Sequence, residues 1–127
     1  MVRRPKDVTT AELAILEQLW ELETTTVAAL ARKLYGASTP SEIATVQKLL
    51  VRLEGKGWVV RDRDQWPHQF QAVMAREELI SQRLQSTADE LCDGTMNTLL
   101  THLVKSGDFK SRDRKRLRKL LDDLESK

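Results

Sequence analysis

Leu13, Leu16, Leu19 and Trp20 stand three and four residues apart, the spacing of one helical face, and predict a first helix over about residues 11–22. Thr9 or Thr10 can cap it, and Glu12 follows Thr9 by three positions as the other half of a capping box. The β-branched polar run Thr24, Thr25 and Thr26 disfavours helix and offers hydroxyl caps. Val27, Leu30, Ala31 and Leu34 then predict a second, shorter amphipathic helix that Gly36 ends. The stretch ASTPSE is turn-like, with Ser38 or Thr39 as cap and Pro40 suited to a first helical turn. From there Ile43, Val46, Leu49, Leu50 and Leu53 mark the inward face of a third helix. Its other side carries Ser41, Ala44, Thr45, Gln47, Lys48, Val51 and Arg52, so small and hydrogen-bonding groups are presented together instead of a uniform charge coat. Gly55 and Gly57 bracket Lys56 and terminate it.

The period then changes. Trp58 to Arg61 have strand propensity, and His68 to Val73 resume it with partial alternation across the polar stretch DRDQWP. An antiparallel hairpin is predicted, with Asp64, Gln65, Trp66 and Pro67 at its tip. Three helices followed by a two-stranded hairpin is the order of a winged helix-turn-helix. After Met74, three further helical stripes follow: Leu79, Ile80, Leu84, Ala88 and Leu91, closed by Gly94; Met96, Leu99, Leu100 and Leu103; and Leu117, Leu120, Leu121 and Leu124, with Ser111 as a possible cap. Each stripe is narrow, and three such helices in about fifty residues make too small a core to stand alone. A second copy supplies the missing surface. The expected fold is therefore mainly α with a small β hairpin: a winged helix-turn-helix domain over residues 1–75 and a C-terminal helical dimerisation region over 76–127. Leu84, Leu91, Met96, Leu99, Leu100, Leu103, Leu117, Leu120, Leu121 and Leu124 are the dimerisation candidates.

Composition narrows the class. Hydrophobic residues at 40% and charged ones at 31% of 127 give a soluble globular balance. No apolar run approaches the roughly 20 residues of a membrane span, and MVRRPKDVTT lacks the apolar core of a secretory signal, so a cytoplasmic protein without membrane insertion is expected. Cys92 is the only cysteine, which rules out an intrachain disulfide. With only His68 and His102 beside it, neither a metal site nor a cofactor is expected. Neither histidine sits in a motif with a nucleophile, and no glycine-rich phosphate loop occurs, so no enzyme and no catalytic residue is predicted. The net charge of +2 says little about nucleic acid by itself; where the charges sit says more.

The runs TTAELAILEQLW, TTVAALARKL, TVQKLLVRLEGKGWVVR, QFQAV and LCDGTMNTLLTHLV, in this order, resemble the penicillinase-repressor (BlaI/MecI) family of bacterial transcriptional regulators over nearly the whole chain. The most specific piece is TVxxLLxRLxxKGWV, here Thr45 to Val59. The resemblance implies a homodimer whose winged helices each bind half of an operator palindrome while the C-terminal helices intertwine. This chain departs from the pattern at several points. Ser41, Glu42 and Ala44 stand where members usually carry Trp, Ser and Lys, and Lys48 where Thr is common. Asp64 and Gln65 replace the usual Gly-Arg pair of the wing, and Phe70 a frequent Tyr. Antibiotic-responsive members are cut at an Asn-Phe bond after a membrane sensor protease acts, whereas His102-Leu103 matches that position here. The C-terminal cysteines of copper-responsive members are absent. The operator sequence, the regulated genes, and release by an upstream sensor, protease or ligand stay open.

With that resemblance, residues 41–54 read as a recognition helix rather than the surface helix of a protein-interaction module, the alternative of a different class. Thr45, Gln47 and Lys48 supply hydrogen-bonding groups for base edges, and Ala44 and Val51 can touch thymine methyls. Arg52 and Lys56 are assigned to phosphates, with Arg61 an even choice between phosphate and a surface ion pair to Glu54 or Asp62. Arg3, Arg4 and Lys6 form a basic arm ahead of the first helix, read as an unanchored terminus. The run Arg112, Arg114, Lys115, Arg116, Arg118 and Lys119 is threaded by leucines and reads as the solvated face of a dimerisation helix. Trp20 and Trp58 are core candidates, and Trp66 at the wing tip is expected to pack on a neighbouring surface.

Overall fold

A computed structural model describes residues 7–106 and 110–125. The basic arm of Arg3, Arg4 and Lys6 lies outside the described residues. The elements run α1 (Thr10–Leu22), β1 (Thr24–Thr25), α2 (Val27–Tyr35), α3 (Pro40–Gly55), β2 (Val59–Asp62), β3 (Gln69–Ala72), α4 (Arg76–Leu91), α5 (Met96–Lys105) and α6 (Ser111–Glu125). The chain is mostly helical, with a small antiparallel sheet, in the order of a winged helix. It divides into two compact units, one through Arg83 and one from Leu84.

Local chemistry accounts for the ends of the first three helices. The Thr9 side chain accepts from the Glu12 N–H at 3.2 Å, and the Glu12 carboxylate accepts from the Thr9 N–H at 2.9 Å, so the capping box is complete. Thr26 caps α2 through the Ala29 N–H, and Gly36, at φ 77°, closes it. Thr39 precedes α3 with Pro40 in the first turn. At its far end the Gly57 N–H donates to the Glu54 carbonyl and the Trp58 N–H to the Leu53 carbonyl. This paired pattern needs a left-handed residue, and Gly57 supplies it at φ 88°.

The sheet departs from the predicted two-stranded hairpin. β3 is central, paired with β2 (Val59 opposite Ala72, Asp62 opposite Gln69) and with β1 (Thr24 opposite Gln71, Thr25 opposite Phe70). Thr24 and Thr25 are therefore strand residues and only Thr26 serves as a cap. A two-residue strand has no period to read, and its partner lies more than forty residues away in the chain.

The core of the first unit forms where the helices meet this sheet. Ile15, Leu16 and Leu19 of α1, Leu30 and Ala31 of α2, and Val46, Leu49, Leu50 and Leu53 of α3 are buried together with Trp58, Val59 and Phe70. Leu79, in the first turn of α4, joins the same cluster. The buried stripe of α1 is Glu12, Ile15, Leu16 and Leu19, with Leu13 and Trp20 only partly covered. Trp20 donates its indole N–H to the Met74 carbonyl at 2.7 Å, and the Arg76 guanidinium lies over its ring.

The second unit is built differently. No described residue of α5 or α6 is buried. Leu84, Leu91, Met96, Leu100, Leu103, Leu120, Leu121 and Leu124 are exposed, while Leu99 and Leu117 are partly covered. Ser111 is the first residue of α6 and not its cap; the Asp113 carboxylate accepts from the Lys110 N–H instead.

Candidate nucleic-acid interface

α3 positions the interface because its two sides differ so sharply. Val46, Leu49, Leu50 and Leu53 anchor one side in the core. On the other, Ala44, Gln47, Lys48, Val51 and Arg52 are exposed and line one shallow depression of about 390 Å³. Thr45 is exposed beside them, and its hydroxyl donates to the Ser41 carbonyl at 3.1 Å. That bond leaves the Thr45 oxygen better placed to accept than to donate. Lys48 and Arg52 are exposed, one turn apart. Val51, 53% exposed, is an apolar group without cover on a helix whose other valine is fully buried.

Lys56 and Arg61 have other engagements. The Lys56 ammonium lies 2.6 Å from Glu12 Oε1 and 3.0 Å from the Asp7 carbonyl. Glu12 itself is wholly enclosed. Burial pushes its carboxyl pKa up, but the Lys56 hydrogen bond, the Thr9 backbone and side-chain bonds and the Lys56 charge outweigh it, holding Glu12 below the ordinary carboxylate range. A lysine paired this closely with a buried carboxylate has little charge left for a phosphate. Arg61 is partly covered: one terminal nitrogen is 3.6 Å from Glu54, and its guanidinium stacks 4.9 Å from the Phe70 ring centre. Arg63 reaches the other Glu54 oxygen at 3.6 Å and is far more exposed than Arg61. The charge network thus ties the end of α3 to the wing.

Sequence reasoning passed over Arg63, whose position at the mouth of the wing was its only signal. It also treated Glu12 as a cap alone, although Glu12 precedes Ile15, Leu16 and Leu19 at three-, four- and seven-residue spacing and so lies on the buried stripe. Trp66 is 86% exposed, not packed on a neighbouring helix; it meets His68 edge-on, with ring centres 5.0 Å apart. The Asp62 carboxylate accepts from the Asp64 N–H and tightens the turn at the wing tip.

Among the described residues, no group of three or more His, Cys, Asp or Glu side chains is arranged to hold a metal ion, and no helix is long and apolar enough to cross a membrane.

The pattern of the penicillinase-repressor family matches residues 8–123, which takes in every element from the capping box to most of α6. The chain belongs to the penicillinase-repressor family. Membership makes it a transcriptional regulator. Among solved structures, that of a mutant form of ZitR from Lactococcus lactis is similar at 20% identity and a TM-score of 0.43, covering 98% of this chain and 77% of that one. No curated protein matches the chain.

Proposed function

We propose that this penicillinase-repressor family member is a transcriptional repressor that binds a pseudo-palindromic operator as a homodimer, residues 1–75 gripping DNA and 76–127 joining the copies. The observation that carries the reading is the exposed row of Ala44, Thr45, Gln47, Lys48, Val51 and Arg52 on a helix whose opposite side is locked into the core. Gln47 and Lys48 offer donors to base edges, Thr45 an acceptor, and Ala44 and Val51 methyl contacts. Arg52 takes a phosphate. Lys56 braces the domain through Glu12, and Arg61 braces the wing through Glu54 and Phe70; neither is needed as a primary phosphate contact.

Pairing follows from the second unit. Exposed leucines on all three of its helices, with nothing buried on α5 or α6, leave an apolar surface that water penalises. A second copy covers it symmetrically and sets two α3 helices into successive major grooves, about 10 base pairs apart or a multiple of that.

Fluorescence anisotropy on DNA from upstream of the chain's own gene tests the reading. The expected result is saturable binding at two protomers per operator, with each neutralised phosphate contributing about −0.9 to the slope of log affinity against log salt. Binding that ignores salt, or no enrichment of genomic fragments by the protein, would refute it and favour a protein-interaction module, and enrichment without a shared palindrome would refute it in favour of a non-specific DNA binder.

A further inference from the structure

Beside the reading face lies a second concavity, of about 580 Å³, enclosed by the start of α2, the middle of α3 and the wing. Its walls are Val27, Ala28, Ile43, Val51, Pro67 and the exposed indole of Trp66. A phosphate backbone gains nothing from such walls and loses its hydration against them. A duplex is also far too wide to enter a cavity of this size, whereas a small organic molecule fits its usual range of about 300–1,000 Å³. Trp66 adds flat aromatic surface. The polar lining is unbalanced: Arg61 and His68 are present, and no carboxylate lines the space. Glu54 meets Arg61 only at 3.6 Å, from outside the lining, so the guanidinium is incompletely neutralised. Its Nε is enclosed with no hydrogen-bond partner, which leaves a local excess of positive potential.

From this lining we infer that the groove between α3 and the wing binds a small aromatic or aliphatic carboxylate: apolar body against Val27, Val51 and Trp66, anionic end toward Arg61 and His68. Gln47 and Val51 belong both to this groove and to the exposed face of α3. An occupant therefore competes for side chains assigned to the operator, and the groove is an inducer site. That regulatory part rests on the operator-binding reading; the binding part does not.

The test uses the full chain, labelled with nitrogen-15, titrated with 2-naphthoate and with the neutral 2-naphthylmethanol. Saturable shifts are expected at the Trp66 indole N–H and the Gln47 side-chain amide. The acid should bind about tenfold tighter than the alcohol, as a charge-assisted contact implies. Arg61→Gln should bring the two probes to near-equal affinity, with the spectrum itself reporting that the variant is folded. Trp66→Ala, at an exposed tip, should weaken both probes about fivefold.

At ten times its dissociation constant, naphthoate should raise the apparent dissociation constant for operator DNA about tenfold. Three results would overturn the inference: no saturable shift at Trp66 or Gln47, equal binding of acid and alcohol to the unmodified protein, or a probe-loaded protein that holds operator as tightly as before. Trp66 shifts that follow protein concentration without a probe would also overturn it, since a second copy would then fill the groove. Failure to bind operator in the absence of any probe would sink only the preceding reading, because the naphthoate shifts are scored independently.

Discussion

Replacing Lys56 with methionine keeps much of its aliphatic length while removing its charge, and so leaves the Glu12 carboxylate enclosed without a cation. In the native fold Glu12 Oε1 accepts from both Lys56 and the Thr9 N–H, while Oε2 is enclosed and has no hydrogen-bond partner. Losing one partner of a fully buried pair costs about 3–5 kcal/mol; the Lys56 side chain is 22% exposed, which brings the cost below that range, to about 2–3 kcal/mol. With a urea slope of about 1.5 kcal/mol per molar, the midpoint should fall by about 1.3–2 M.

The pH dependence is more telling than the loss itself. Glu12 has a folded pKa below its unfolded value of 4.5, so the native form binds fewer protons at that site than the unfolded chain does. Its contribution is fully present above pH 4.5 and is lost as pH falls through the folded pKa. Without Lys56, burial is opposed only by the two Thr9 bonds, and the folded pKa should rise. The linkage at this site then weakens, and Lys56→Met should lose less stability than the parent as pH falls through 4.5. Urea melts of both proteins at one fixed protein concentration, between pH 4 and 7, measure the difference curve. A variant as stable as the parent at pH 7, or parallel pH profiles for the two proteins, would show that the pair is not the brace described.

Two further variants divide the roles along α3: Lys48→Ala should change the ranking of operator variants, whereas Arg52→Ala should weaken all of them alike and flatten the salt slope by about one unit. Anisotropy against a panel of single-base operator changes checks both, and uniform losses for Lys48→Ala would remove it from base reading. Leu121→Glu, on the exposed stripe of α6, should shift the protein toward monomer in sedimentation velocity and lower operator affinity by at least about tenfold, while leaving the far-ultraviolet circular dichroism of the winged helix in place.

Much of the architecture was legible because it is local. The capping box at Thr9 and Glu12, the Gly36 stop, and Gly57 closing α3 are written within a few residues of where they act, while Gly55 is still helical. The exposed row on α3 was legible for the same reason, since the core-facing leucines and valine fix which side remains. What escaped was long-range. Lys56 meets Glu12 across 44 residues, and no local pattern announces that a cap carboxylate is enclosed and requires a cation. Arg61 stacks on Phe70 because the two face each other in the β2–β3 register, which a hairpin with an uncertain tip does not specify. The apolar groove arises from the wing's approach to α2 and α3, which joins residues far apart in the chain.

The three-stranded order has a consequence for how copies of the protein can associate. β3 spends its hydrogen-bonding groups on both sides, leaving as rims a two-residue strand and a four-residue strand that ends in Arg61 and Asp62. Rims so short and so charged are poor templates for adding a further strand from another chain. The winged half is thereby guarded against sheet-mediated polymerisation.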